Sequence, residues 1–284
     1  MIGHSRSFHP PGYFLAASLA LTMFAGKLHA ADDEGKKEEE ARREQQLKVM
    51  KCFAELYTLS HADDRKRLYK LHENAIMRFS NPVGGTKDGA VYLWSDRGQP
   101  QAVLKIFTYD NEVFVQEWQS LSESPLVAER EGKTIWNPAE PGIAFRELPE
   151  APKPADSTAE RLRQMKSLAG KFSTTYTAGK ETKPDELRLL IQPLFRHEAD
   201  AEMKRLDGAV FAFSQSTAPM GFLLFEARRN GESHRYYYAF ARLSTQAMTA
   251  RYGDKEIYSV EKYDFKRDPK QTFLQLPRQS APNE

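Results

Sequence analysis

Residues 88–95 read DGAVYLWS, and residues 207–214 read DGAVFAFS. Both stretches open on Asp-Gly and continue with apolar and aromatic residues of the kind that favour strands. Repetition of a stretch within one chain indicates an architecture built from repeated units. The sequence therefore predicts two related units in one polypeptide.

Further matches occur in the same order on both sides of this stretch, and the spacing between matched residues grows in small steps. Loop insertions in a diverged duplication produce such a pattern. The matches pair Leu47, Met50, Ala54 and Tyr57 with Leu162, Met165, Ala169 and Phe172, and Phe145, Leu148 and Pro149 with Phe273, Leu276 and Pro277. A Pro-rich segment at the join is typical of a linker.

These patterns divide the chain into six predicted segments. They are a signal peptide (1–30), a charged arm that is helical or disordered (31–45), a first repeat (46–149), a Pro-rich linker (150–157), a second repeat (158–277) and a disordered tail (278–284).

Each unit is predicted to begin with a helix and continue with strands. Ser157 and Glu160 have the spacing of a capping box, and apolar residues then recur at intervals of three and four. Strand-like runs follow, separated by turns so short that neighbouring strands must be antiparallel. The predicted fold class is α+β: two tandem homologous units, each a helix packed on an antiparallel β-meander, related by a pseudo-twofold axis.

The N-terminus has the features of a secretory signal peptide. A basic start at Arg6, an apolar run over 13–25 and a small residue before the acidic patch 32–34 predict cleavage after Ala30. The apolar run is shorter than the roughly 20 residues that a membrane span needs. We therefore expect an exported protein, periplasmic or secreted, with no stable membrane span after processing. An uncleaved anchor is the alternative.

Composition narrows the classes of partner. Hydrophobic residues make up 40% of the chain, enough for a core, and the net charge is +2. Both basic residues of 1–30 leave with the signal peptide, so the rest is balanced and has no electrostatic reason to bind nucleic acid. The expected partner is an unidentified molecule of the cell envelope or the medium. Cys52 is the only cysteine, which excludes an internal disulfide, and we expect it to be buried.

The sequence contains no recognisable catalytic or cofactor-binding motif. We find no phosphate loop, dinucleotide fingerprint or nucleophile elbow, and therefore predict no cofactor and no catalytic residue. The histidines outside the signal peptide are not at ligand spacing, so no metal site is predicted. Glu117 and Glu226 lie on predicted strands, and paired carboxylates can hydrolyse glycosides.

The candidate ligand-binding residues are aromatic or basic. Aromatic side chains on strands can form an exposed platform for a sugar or a protein, or can pack in a core. Arginines that recur in both units can bind an anion or pair with a nearby carboxylate. The candidates are Trp94, Trp118, Tyr236, Tyr238, Arg78 and Arg196. The repeated Asp-Gly pairs at 88–89 and 207–208 are either a carboxylate site or, as we prefer, turns that lead into strands.

The predicted signal peptide, the sequence RFSNP at 78–82 and the two DGAV stretches together resemble exported, uncharacterised proteins that abound in planctomycete-type bacteria. The resemblance covers most of the mature chain. It implies export and no particular activity.

Three hypotheses for function follow. The first is an exported, non-catalytic protein that binds a ligand or partner in the cell envelope. The second is an exported hydrolase that acts on a polysaccharide-like substrate, and it requires Glu117 and Glu226 to face one cleft. The third is a structural protein of the envelope that assembles through the charged arm.

Overall fold

The computed structural model describes residue 1 and residues 17–179, 183–197 and 199–282, with the backbone alone for 17–34 and 36. Residues 2–16 of the predicted signal peptide and 283–284 of the predicted tail lie outside the described residues. Residues 1–45 and 46–284 form two units. Helix α1 (Ala17–Glu55) includes the whole predicted charged arm, whose described side chains are almost all exposed. Within the described ranges, neither helix is both long and apolar enough to cross a membrane.

Helix α2 (Thr158–Ala169) begins where the sequence predicted. The Ser157 hydroxyl accepts the Glu160 N–H at 3.2 Å and donates to the Glu160 carboxylate at 2.8 Å, which confirms the capping box.

The described residues contain nineteen strands. Those of the first part of the chain are β1 (Tyr57–His61), β2 (Lys70–Leu71), β3 (Met77–Asn81), β4 (Thr86–Asp96), β5 (Gln99–Thr108), β6 (Val113–Ser120), β7 (Leu126–Arg130), β8 (Lys133–Trp136) and β9 (Arg146–Glu147). Those of the second part are β10 (Phe172–Thr177), β11 (Asp185–Glu186), β12 (Arg188–His197), β13 (Arg205–Gln215), β14 (Ala218–Asn230), β15 (Ser233–Arg242), β16 (Ala247–Tyr252), β17 (Lys255–Val260), β18 (Phe273–Gln275) and β19 (Gln279–Ser280).

These strands form four antiparallel sheets within the described residues. Large sheet 1 contains β2 to β6 with β18 and β19, and large sheet 2 has the order β12-β13-β14-β15-β9. Small sheet 1 has the order β1-β7-β8, and small sheet 2 the order β11-β10-β16-β17.

The two large sheets pack face to face, because alternate residues of their central strands meet in one apolar layer. Val91 and Val103 of large sheet 1 share this inner core with Val210 and Leu224 of large sheet 2. The opposite faces are also covered. Helix α1 from Met50 onward and small sheet 1 cover one, which gives outer core 1, and α2 and small sheet 2 cover the other, which gives outer core 2. Strands buried on both faces have near-continuous apolar sequences, as β4 and β13 do.

The predicted fold class is wrong. The protein is mostly β, with half of the chain in strands and two helices in the described residues. Each helix was expected to cover a single meander, but small sheets supply much of the covering layer. The helical stripe was also predicted to continue to Tyr57 and Phe172, whereas these residues begin strands β1 and β10. Sequence periodicity locates strands but does not say which sheet each strand joins.

The predicted repeats also exchange strands. Strand β9, from the end of the first predicted repeat, pairs with β15 in large sheet 2. Strand β18, from the end of the second, pairs with β6 in large sheet 1. Residues 46–149 and 158–277 are therefore joined by backbone pairing as well as by the inner core.

The Asp-Gly pairs are not turns, contrary to our expectation, because both lie inside strands β4 and β13. A Cβ on Gly89 would lie 2.4 Å from the Phe79 ring, and one on Gly208 would lie 2.0 Å from the His197 ring. Glycine is therefore needed here because a ring of the neighbouring strand packs over the backbone. The expectation that Cys52 is buried is wrong too: its side chain is exposed on α1.

Candidate functional site

The four aromatic residues proposed as a ligand platform lie in the outer cores. Trp94 and Trp118 are buried in outer core 1, with ring centroids 5.1 Å apart. Tyr236 and Tyr238 are buried in outer core 2, and the Tyr236 hydroxyl donates to Gln164 Oε1 at 2.7 Å. Burial raises the pKa of Tyr236, so its phenol remains a neutral donor. The packing of these rings removes the exposed surface on which the platform hypothesis depended.

The two recurring arginines both pair with a carboxylate on the neighbouring strand. Arg78 contacts Asp88 through Nε at 3.1 Å and Nη2 at 2.6 Å. Arg196 contacts both carboxylate oxygens of Asp207 through Nη2, at 2.5 and 2.6 Å. For both arginines the sequence left open either anion binding or pairing with a nearby carboxylate, and the structure shows the carboxylate pairs.

The two carboxylates of the hydrolase hypothesis are buried and engaged. Glu117 lies 3.0 Å from Lys105 Nζ and accepts a hydrogen bond from Gln275. Glu226 accepts from Arg228 Nε at 2.6 Å. Neither carboxylate lines any of four cavities formed by the described residues. Each carboxylate is paired with a cation instead of facing the other across one of these cavities.

A different group of polar residues converges on one cavity of about 150 Å³, which we call the polar pocket. Most of its wall comes from the end of β1, the β1–β2 connection, the β4–β5 hairpin and the segment after β6. Met203, ahead of β13, adds a wall from the second predicted repeat. The lining residues are His61, Arg67, Tyr69, Asp96, Arg97, Gln99, Gln101, Ser122, Glu123, Ser124 and Met203.

The β4–β5 hairpin builds one wall of the polar pocket. Arg97 and Gly98 both have positive φ, at 48° and 74°, as the two central residues of a type I′ turn do. This turn pairs Asp96 with Gln99 across the hairpin. Gln101 is the extra residue at a β-bulge in β5, because Trp94 pairs with Ala102 and Ser95 with Pro100. The bulge interrupts strand alternation between the two glutamines, and both side chains line the polar pocket.

These two glutamines give the pocket its recognition chemistry. Gln99 is only 4% exposed and Gln101 8%. The Gln99 side-chain amide makes no hydrogen bond within the part of the chain that the structure describes, and Gln101 makes only a 3.4 Å contact from Nε2 to the Gln99 carbonyl. Their amide atoms are not sealed from solvent, because the pocket opens onto them. The polar pocket thus holds amide donors and acceptors that are free for a ligand.

Tyr69, Ser122 and His61 stand beside the glutamines. Burial raises the pKa of Tyr69 to about 12, although a hydrogen bond with Ser122 opposes this, so the phenol stays protonated at neutral pH. The imidazole of His61 accepts the Asp63 N–H at Nδ1, at 3.2 Å, which leaves Nε2 as the ring nitrogen that can donate. The pocket therefore offers both hydrogen-bond donors and acceptors.

The charged residues of the pocket are balanced by ion pairs. Arg67 binds Asp96, and Arg97 binds Glu202. Glu123 is held by Arg228, whose Nη1 and Nη2 lie 3.2 and 2.5 Å from its carboxylate oxygens. Since each cation has an acidic partner, the pocket carries no excess charge that would select a strongly charged ligand.

Behind Glu123, a chain of polar contacts leads into the molecule. Arg228 also binds Glu226, and Glu226 Oε1 lies 3.5 Å from Nδ1 of fully buried His197. Burial, with a contribution from nearby Arg205, lowers the pKa of His197 well below 6.5, so the ring is neutral. Burial raises the pKa of Glu226, and the adjacent Arg228 opposes that rise.

Sequence reasoning missed the polar pocket, although one signal was available. Strand β5 carries the polar residues Gln99, Gln101 and Lys105 among apolar residues such as Val103 and Phe107. Polar side chains at positions predicted to face a core are unusual. Such positions mark either buried ion pairs or a site, and here Lys105 belongs to the first class and the glutamines to the second.

Comparison of the chain with protein-family models, curated proteins and solved structures found no match. The described residues also contain no group of three His, Cys, Asp or Glu side chains placed to hold a metal ion. Fold and pocket together define a mostly-β protein with a small, neutral, hydrogen-bonding cavity.

Proposed function

We propose that this chain is an exported, non-catalytic binding protein whose ligand is a small, uncharged, polyhydroxylated molecule about the size of one sugar ring. The observation that carries this proposal is the pair of glutamines, Gln99 and Gln101, whose amides line the polar pocket and make at most one long contact within the described residues. Export rests on the predicted signal peptide and on the resemblance to exported bacterial proteins. We also propose that the chain arose by internal duplication and that the pocket lies where the two repeats meet.

Hydroxyl groups suit this pocket because each one donates and accepts, as amides, Ser122 and Tyr69 also do. The pocket is smaller than the 300–1,000 Å³ typical of sites for drug-sized ligands, which favours a single ring over a polymer segment. The balanced ion pairs at its rim favour a neutral ligand over a phosphate or a nucleotide. Glu123 and Asp96, each held by an arginine, add fixed acceptors.

The test is a titration of the ¹⁵N-labelled full chain with glucose and with N-acetylglucosamine, followed through the side-chain amide signals of Gln99 and Gln101. We expect saturable shifts for at least one sugar, and their loss in Gln99→Leu. The matched control is Gln119→Leu, which changes another buried glutamine outside the polar pocket. Its binding should equal that of the original chain.

The proposal fails if neither sugar gives saturable shifts, or if Gln99→Leu binds as well as Gln119→Leu does. Should Gln99→Leu not fold, Gln101→Glu provides the second test, because a carboxylate in place of the amide removes its N–H donors. Unchanged affinity in that variant would also overturn the proposal.

A further inference from the structure

We propose that Arg196 and Arg161, which share Asp207, form a second binding site that takes an oxyanion of the phosphate or sulfate type. This site is independent of the polar pocket. It lies on the outer side of large sheet 2, beside α2, where a cavity of about 460 Å³ is lined by Thr158, Arg161, Arg196 and Asp207 among others.

Asp207 is surrounded by more positive charge than it can balance. Arg161 Nε donates to Oδ2 at 2.9 Å, Arg196 Nη2 contacts both oxygens, and the Gly208 N–H donates to Oδ1 at 2.9 Å. Among the described residues, neither arginine has a second acidic partner. Among the described residues that line the cavity, two guanidinium groups face one carboxylate.

The two arginines have different roles. Arg161 is 6% exposed, and its remaining donors reach the Ala155 and Asp156 carbonyls and the Thr158 hydroxyl oxygen. Four of its five N–H groups are therefore used within the protein, and its main contribution to the site is charge. Its contact also leaves the Thr158 hydroxyl proton free to donate, because Thr158 Oγ1 acts there as an acceptor.

Arg196 has the capacity that Arg161 lacks. It uses Nη2 alone, so Nε and Nη1 make no hydrogen bond to described residues, and 27% of its side chain is exposed. A guanidinium presents parallel N–H groups that match two oxygens of an oxyanion. Since Asp207 occupies Nη2, which belongs to both parallel pairs, Nε and Nη1 of Arg196 donate from different edges, and a tetrahedral oxyanion takes one of them together with the Thr158 hydroxyl. The cavity volume leaves room for an organic substituent on that anion.

The Arg78–Asp88 pair of large sheet 1 corresponds to the Arg196–Asp207 pair of large sheet 2, but it is not part of the proposed anion site. Arg78 meets Asp88 side-on, with both Nε and Nη2. Arg78 does not line the cavity beside Arg196. It therefore provides a matched control on the other large sheet.

The experiment follows the thermal midpoint and the arginine Nε–H signals of the full chain during titration with sodium phosphate, sodium sulfate and sodium acetate, at constant ionic strength set with NaCl. We expect saturable binding of phosphate or sulfate. We expect affinity to fall about tenfold or more in Arg196→Gln, since hydrogen bonds to charged groups are the strong ones. Arg78→Gln should bind as the original chain does.

Absence of saturable binding by phosphate and sulfate would overturn the proposal, as would equal affinity in Arg196→Gln. Acetate binding as tightly as phosphate would overturn the assignment to tetrahedral oxyanions. If Arg196→Gln does not fold, Thr158→Val removes a proposed donor while retaining side-chain shape. Undiminished affinity in that variant would count against the site.

Discussion

Arg228 binds Glu123 through two contacts of 3.2 and 2.5 Å, and so connects large sheet 2 to the segment that follows the last long strand of large sheet 1. The same guanidinium holds Glu226, which is almost fully buried. One side chain thus fixes a rim residue of the polar pocket and neutralises a carboxylate in the interior.

Removal of that guanidinium should be costly. We predict that Arg228→Met lowers the free energy of unfolding by about 3 kcal/mol, because a buried carboxylate loses its cation. Urea denaturation at neutral pH measures the change. Arg229→Gln, in the exposed neighbouring position, should stay within about 0.5 kcal/mol of the original chain. Equal stabilities for the two variants would contradict the role assigned to Arg228.

Gly208 should not tolerate a methyl group. A Cβ there would lie 2.0 Å from His197, so we predict that Gly208→Ala costs about 1–3 kcal/mol through overpacking. The double variant Gly208→Ala/His197→Ala should recover part of this loss, which a double-mutant cycle would show. Gly170→Ala is the control, since its backbone is right-handed helical and its nearest neighbour lies at 3.5 Å. A purely additive cycle would show that the ring and the glycine do not compete for space.

Stability should depend on pH through His197. Its pKa is lowered in the folded protein, so the unfolded chain binds a proton first as the pH falls below 6.5. Stability should therefore decrease on acidification from pH 6.5, by at most about 1.4 kcal/mol per pH unit. The raised pKa of Glu226 acts in the opposite direction, because protonation of this carboxylate is easier in the folded state.

The variant His197→Phe tests that source of the pH dependence. Phenylalanine is chosen because Phe79 pairs with Gly89 in large sheet 1 as His197 pairs with Gly208 in large sheet 2. The slope of unfolding free energy between pH 6.5 and 5.5 should become flatter in His197→Phe and remain in His234→Gln. An unchanged slope in His197→Phe would assign the pH dependence to other groups.

The buried Lys105–Glu117 pair should stabilise less than its burial suggests. Lys105 Nζ lies 3.0 Å from Glu117 and donates to the Leu243 carbonyl at 2.9 Å. We predict a loss of about 3 kcal/mol for Lys105→Met or Glu117→Met alone, since each leaves an unpaired buried charge. The double variant should be within about 1 kcal/mol of the original chain, because two apolar side chains require no desolvation of charge. Additive losses in urea titrations would contradict this.

The sequence was informative wherever a pattern is local. The capping box at Ser157, the hairpin turn at Arg97 and Gly98, and the long strands of both large sheets were predictable, because each depends on residues a few positions apart. The interpretation of Asp88 and Asp207 failed for the opposite reason. Their neighbours Phe79 and His197 come from another strand, so turn chemistry was inferred where strand packing is the cause.

Burial of the aromatic candidates could not be predicted either. Alternation along β15 shows that Tyr236 and Tyr238 share a face, but not whether a helix and a second sheet cover it. Only the packing of α2 and small sheet 2 decides that they are buried. The same holds for Glu117 and Glu226: their cation partners lie on the adjacent strand and on the same strand, but only the tertiary structure shows that both carboxylates are buried.

What the sequence determined alone is a set of strands, a capped helix, two recurring Asp-Gly pairs and an even balance of charge, since these follow from residue type and short spacing. The tertiary structure decided which strands share a sheet, which faces are covered and which polar side chains are left without partners. The roles proposed for Gln99 and Gln101 in the polar pocket, and for Arg196 beside Asp207, rest on burial and long-range pairing, which distinguish these residues from chemically similar ones. That selection depends on the whole fold.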